Sequence, residues 1–218
     1  MLAPALITDT DALLRSRGAS PLTGRRCAAI VLALSPVYGL AMGSFSADSP
    51  ERLALPLLSA LKLPILILAS AAICLPAFYV INAAAGLRED FRAALRAISA
   101  GQAAVAASLA AFAPLVLVLY SALESHRLAL LWNMAAFTVA ACIGQLVMLR
   151  RYRPLIRKSP RHRLMLACWL VLYAFVGIQM GWSLRPFVGT PGSPVQLFRE
   201  GAFTNAYIAV WRTITTLP

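Results

Sequence analysis

Charge is scarce in this chain, and what there is sits in a few places. Only 13% of its 218 residues are Asp, Glu, Lys or Arg, about half the share in a soluble globular domain. Lysine occurs twice (Lys62, Lys158), histidine twice (His126, His162) and acidic residues eight times. Asp9, Asp11, Asp48, Glu51, Glu89, Asp90, Glu124 and Glu200 all lie outside the long apolar stretches, and both histidines read as loop residues. Ionisable groups inside a bilayer are costly and mark proton relays and ion paths, so their absence from the stretches argues against a proton-coupled transporter. Without a histidine in a span, a membrane haem has no axial imidazole and a Ser–His hydrolase has no base. The sequence contains no H-E-x-x-H, Walker or Rossmann glycine pattern, which removes the usual zinc protease and nucleotide-binding readings. Four cysteines, Cys27, Cys74, Cys142 and Cys168, form no C-x-x-C pair. They imply neither a disulfide nor a metal framework, and a buried free cysteine behaves as a small hydrophobe. The expectation is a protein that is not an enzyme and uses no cofactor or metal.

What is present is apolar. Hydrophobic residues make up 60% of the chain and the mean hydropathy is +0.75. Five stretches, about 27–45, 57–84, 98–123, 128–149 and 164–184, are long enough to cross a hydrocarbon core of about 30 Å as helices. The second has a short helical lead-in from Pro50. The expected fold is an all-α polytopic membrane bundle of five transmembrane helices plus a C-terminal interfacial amphipathic helix. It divides into an N-terminal cytoplasmic segment (1–26), the membrane domain (27–184) and an extracytoplasmic loop and helix (185–218).

Lys and Arg set a direction. Fourteen of the twenty fall in the N-terminal segment and the second and fourth connections. The positive-inside bias places these in the cytoplasm and, with five spans, the C-terminus outside. This topology accounts for the net charge of +12 without nucleic acid, although basic patches do attract phosphate backbones. The start, MLAPALITDTDALL, has acidic residues where a cleavable signal has basic ones. Arginine and alanine usage points to a GC-rich bacterial genome, hence the bacterial inner membrane. The densest basic cluster is Arg150, Arg151, Arg153, Arg157, Lys158, Arg161 and Arg163. It reads as a topology anchor, a contact for anionic lipid at the cytoplasmic face, or a contact for an acidic protein surface.

Inside the stretches the notable residues are small or amide-bearing. Gly177 and Gly181 form a G-x-x-x-G; Ala136, Ala140 and Gly144 repeat at the same spacing, as do Ala103, Ala107 and Ala111. Small residues four apart let helix backbones approach closely, either within one bundle or against a partner's helix. Gln102, Asn133, Gln145 and Gln179 can bond between helices or line a polar path. Pro36, Pro64, Pro76 and Pro114 each remove a backbone donor and kink a helix. A break at Pro64 would resemble a transporter site, but no matching broken segment exists in a second half. Lys62 is near enough to the outer end to snorkel. Beyond Arg185, a Gly/Pro-dense turn leads to a stretch whose Phe203, Tyr207 and Trp211 share one helical face. It reads as an anchor at the outer boundary or a docking surface, with Arg185 beside it.

The segment YAFVGIQMGWSLRPFVGTPGSP, above all Gln179-Met180-Gly181-Trp182 with Arg185-Pro186-Phe187, resembles a group of bacterial multi-pass membrane proteins with no activity to carry over. The layout of five spans, N-terminus in and C-terminus out, is similar to that of Yip1-like membrane proteins, by topology alone. Two functions are expected. One is a non-catalytic subunit or scaffold that packs with other membrane protein subunits. The other is a small oligomeric channel or facilitator with a path of amides and proline-freed carbonyls.

Overall fold

Apolar residues in runs of twenty or more leave the backbone no partner in lipid except itself, so each run closes its own hydrogen bonds as a helix. The computed structural model describes residues 23–47, 50–122, 125–185, 187–189, 198 and 205–208. Its helices are α1 (Gly24–Gly43), α2 (Ala54–Ala84), α3 (Phe91–Ala122), α4 (His126–Lys158) and α5 (Arg161–Ser183), and no strand occurs among the described residues. All five are long and apolar enough to cross a membrane; the chain is a multi-pass membrane protein. Short 3-10 turns cover Ser44–Ser46, Pro50–Arg52 and Arg88–Asp90.

The prolines do not interrupt these helices. Pro36, Pro64, Pro76 and Pro114 all lie inside continuous helix, and α2 runs unbroken through Pro64. Pro154, expected in a loop, lies inside α4, which runs nine residues past the apolar stretch. With 32 and 33 residues, α3 and α4 are about 50 Å long. They therefore project beyond a core of about 30 Å at the end that carries the 85–90 and 159–160 connections. We call this the basic end.

Packing follows the buried stripes. On α2, Leu55, Ser59, Lys62, Leu63, Ile67, Ser70, Cys74, Phe78 and Asn82 are buried, a spacing of three and four that marks one face. Lys62 falls on that face and is only 2% exposed. This corrects the expectation that it snorkels: the stripe carries it inward. Helix α1 lies between α2 and α3, α3 packs along α4, and α5 rests on α2. Around the bundle the order is α5, α2, α1, α3, α4. Although α4 and α5 are joined by the two residues Ser159 and Pro160, they touch little. They meet at the basic end, around Leu155, Met165 and Leu166, and separate from there.

Glycines make the two tightest seams. A Cβ on Gly39 would lie 2.5 Å from the Ser59 carbonyl, and one on Gly43 2.6 Å from Pro56 Cα. In the α3–α4 seam, a Cβ on Gly101 would meet the Gly144 carbonyl at 3.0 Å, and one on Gly144 would overlap Val105. One glycine serves a turn instead: Gly86, at φ +74°, ends α2 while Leu87 N–H donates back to the Asn82 carbonyl at 2.9 Å. A left-handed residue there is the usual helix stop.

Candidate functional site

Because α4 and α5 diverge, a crevice opens between them, floored by α2 and α3. It has three connected stretches. At the basic end a cleft of about 560 Å³ is lined by Cys142, Gln145, Leu149 and Leu166. Midway, another of about 560 Å³ reaches Ser70, Val105, Tyr173 and Gly177. At the far end, one of about 610 Å³ ends on His126, Asn133, Gly181, Arg185 and Phe187. Thr138 borders all three. From Leu149 to His126 the crevice follows α4 for 23 residues, about 34 Å, a full hydrocarbon thickness. Its rims include Met134, Leu146 and Ile178, all exposed, so it opens sideways from the bundle.

Gly177 and Gly181 lie on this crevice. Among the described residues a Cβ on either would meet nothing within 4 Å. The small-residue stripe of α5 therefore does not pack the bundle, whereas Ala140 and Gly144 are buried and Ala136 rests partly buried against the core. In α3, Ala103 is buried but Ala111 turns outward. The G-x-x-x-G that packs within the chain is Gly39–Gly43, which the sequence reading passed over although its spelling is the same.

The amides work as helix ties. Tyr38 donates to Asn133 Oδ1 at 2.8 Å, and Asn133 Nδ2 donates to the Ala129 carbonyl at 2.7 Å and to Tyr120 Oη at 2.5 Å. Tyr173 donates to Gln102 Oε1 at 2.7 Å, linking α5 to α3. Gln179 Oε1 accepts from Ala206 N–H at 3.0 Å. Gln145 Oε1 and Ser70 Oγ are buried and have no hydrogen-bond partner.

A second polar group holds the basic end together. Lys158 donates to Asp90 Oδ1 at 2.6 Å. His162, expected in a loop, is the second residue of α5 and fully buried. Its Nε2 faces Asp90 Oδ2 at 3.2 Å, and since a carboxylate only accepts, Nε2 carries the hydrogen. Tyr152 Oη stands 3.5 Å from its Nδ1. The hydrogen bond from Lys158 holds the Asp90 carboxyl below its ordinary pKa; burial opposes it, and the hydrogen bond from His162 adds a smaller lowering effect. The same bond raises the Lys158 pKa. Of the rest of the basic cluster, Arg161 reaches the Ala85 carbonyl at 3.3 Å, Arg151 is partly buried, and Arg150, Arg153, Arg157 and Arg163 are exposed.

At the other end, Arg185 donates from Nε to the Trp182 carbonyl at 3.0 Å and stacks 3.2 Å above the Trp182 ring. His126, also expected in a loop, begins α4 and sits against the Phe45 ring. Of the expected amphipathic helix, Phe203 and Trp211 lie outside the described residues. Tyr207 stacks on Phe175 at 4.6 Å and donates to its carbonyl at 2.8 Å. Phe175 is eight residues before the end of α5, about 12 Å along the helix. Among the described residues no three His, Cys, Asp or Glu side chains gather in a group able to hold a metal. Comparison with protein families, curated proteins and solved structures gives no match.

Proposed function

We propose that the chain is a non-catalytic subunit or scaffold of a larger membrane assembly and that its α4–α5 crevice receives a transmembrane helix of a partner protein. The observation that carries this is the open face at Gly177 and Gly181. A small-residue stripe where an added Cβ would meet nothing among the described residues, on a crevice as long as the hydrocarbon is thick, has the shape of a seat for one helix. Dispersion between closely approaching backbones is the main force available for helix association in lipid. The chain's arginine and alanine usage supports a bacterial inner membrane, and its Lys and Arg distribution supports a cytoplasmic basic end. Arg150, Arg153, Arg157 and Arg163, exposed there, are assigned to anionic lipid head groups. A channel is the weaker reading, since the crevice opens sideways between lipid-facing rims.

The test is site-specific photo-cross-linking in native membranes. A photoreactive side chain replaces Gly181 or Thr138 in the crevice, or Val118 or Val171 on exposed faces. A discrete adduct with one other polypeptide from the crevice positions only is expected, and its loss in Gly177→Ile/Gly181→Ile. Adducts with lipid alone, or the same adducts from all four positions, would sink the proposal.

A further inference from the structure

The crevice holds information about its occupant beyond shape. Ser70 is 1% exposed, borders the middle of the crevice, and its Oγ has no hydrogen-bond partner. Of the other hydroxyls in these helices, Ser108 Oγ in α3 is also buried without a partner, while others turn back to their own backbone. Ser35 donates to the Val31 carbonyl at 2.6 Å and Thr138 to that of Met134 at 2.8 Å. On α4, facing the same stretch of crevice, Gln145 Oε1 is also buried and unpartnered. Lipid supplies nothing to either group: an acyl chain has no donor or acceptor, and the hydrocarbon core holds no water to bridge them. A helix made only of Leu, Val and Ala would fill the volume and leave both orphaned, which buried polar groups in native proteins rarely are.

We infer that the partner's helix carries a hydrogen-bonding side chain (Asn, Gln, Ser or Thr) within its apolar stretch, paired with Ser70 Oγ and Gln145 Oε1. An amide meets both needs: its NH₂ donates to Gln145 Oε1, and its oxygen accepts from the Ser70 hydroxyl. The inference rests on the reading of the crevice as a helix seat, and it adds the chemistry that selects which helix sits there.

The experiment uses the full chain in nanodiscs and synthetic transmembrane peptides of Leu and Ala with an Ala-x-x-x-Ala ridge. One peptide has no polar residue in its apolar stretch. Three others carry a single Asn at the centre or seven residues to either side. Binding is read by energy transfer between labelled protein and labelled peptide. At least one Asn peptide should bind about three- to fifteen-fold tighter than the apolar control. That advantage should vanish in Ser70→Ala/Gln145→Met, which removes polar groups from the apolar region and so preserves insertion; an unchanged thermal midpoint checks this. If no Asn peptide exceeds the control, or the advantage survives the double substitution, the inference is overturned. Gly177→Ile/Gly181→Ile separates the two levels. When it abolishes binding of the control peptide while Asn confers no gain, only the inference falls. When it leaves all binding unchanged, the helix seat itself falls and the inference with it.

Discussion

Single side chains at the two ends of the bundle hold connections that the apolar core does not reach. Asp90 is the clearest. It accepts from Lys158 on one oxygen and faces His162 on the other, tying the turn before α3 to the start of α5. Its pKa is lower in the folded protein than the roughly 3.9 of an unfolded chain. The stability this contributes is therefore fully present above about pH 4 and is lost as pH falls through the folded value. Replacing Asp90 with Ala leaves the fully buried His162 ring without an acceptor, a loss of about 1–3 kcal/mol. Thermal unfolding in detergent at pH 7 should show a lower midpoint for the variant. Below pH 4 the gap to the wild type should narrow; a gap constant with pH would remove Asp90's ionisation as the cause. Asn133 plays the matching part toward the other end. Asn133→Leu strips the Tyr38 hydroxyl of its acceptor, and at about 0.6–1.7 kcal/mol per interhelical bond the unfolding midpoint should drop modestly. An unchanged midpoint would mean that lipid or water replaces the amide. His162 and Asn133 show where the sequence was and was not legible. An Asn inside an apolar run announces a helix tie by its cost. A His next to a basic cluster looks solvated, and only the short Ser159–Pro160 turn, folding α5 back toward Asp90, makes it a core residue.

At the scale of helices, five apolar runs of spanning length are enough to declare five helices, and the structure has them. Boundaries were less legible at the basic end, because Arg-rich sequence continues a helix as readily as it forms a loop: α4 passes through Pro154 to Lys158. Which glycines pack was not legible at all. Gly39–Gly43 and Gly177–Gly181 have the same spelling, yet an added Cβ meets backbone at 2.5–2.6 Å in one and nothing among the described residues in the other. The difference lies in which helix comes opposite, and spacing along one helix carries no record of that. The contrast makes a prediction. Gly39→Ile places side-chain atoms where Ser59 and Ala60 backbone stands, and Gly144→Ile does so against Val105 and the Gly101 carbonyl. Overpacking of this kind costs about 1–3 kcal/mol, more where backbone has to move. Gly181→Ile enters open space. In purified protein the first two variants should unfold at clearly lower temperature and the third within error of wild type. A large loss at Gly181 would show that the crevice is closed by the chain itself.

For the whole molecule, the question that governs the rest is which way the bundle stands. The basic end carries Gly86, Asp90, Ser159 and the exposed Arg150, Arg153, Arg157 and Arg163; Ser125, His126 and Arg185 are at the other end. Lys and Arg resist translocation when they flank a span, so the basic end should face the cytoplasm. Residues Ser125 and Ser159 bracket α4 and must then be on opposite sides of the membrane. In a background with all four native cysteines replaced, a cysteine at Ser125 should react with an impermeant maleimide on intact spheroplasts, and one at Ser159 only after lysis. The reverse pattern would invert the molecule, putting the arginines outside and away from the anionic inner leaflet assigned to them. Reaction of both from the same side would mean that α4 does not span, and a crevice bounded by α4 would then be no seat for a transmembrane helix. With the expected pattern, the far end of the crevice, where Arg185 stacks on Trp182 and His126 begins α4, faces out. A partner helix lying in it would have its outer terminus beside Arg185, and any soluble domain following that terminus would be extracytoplasmic.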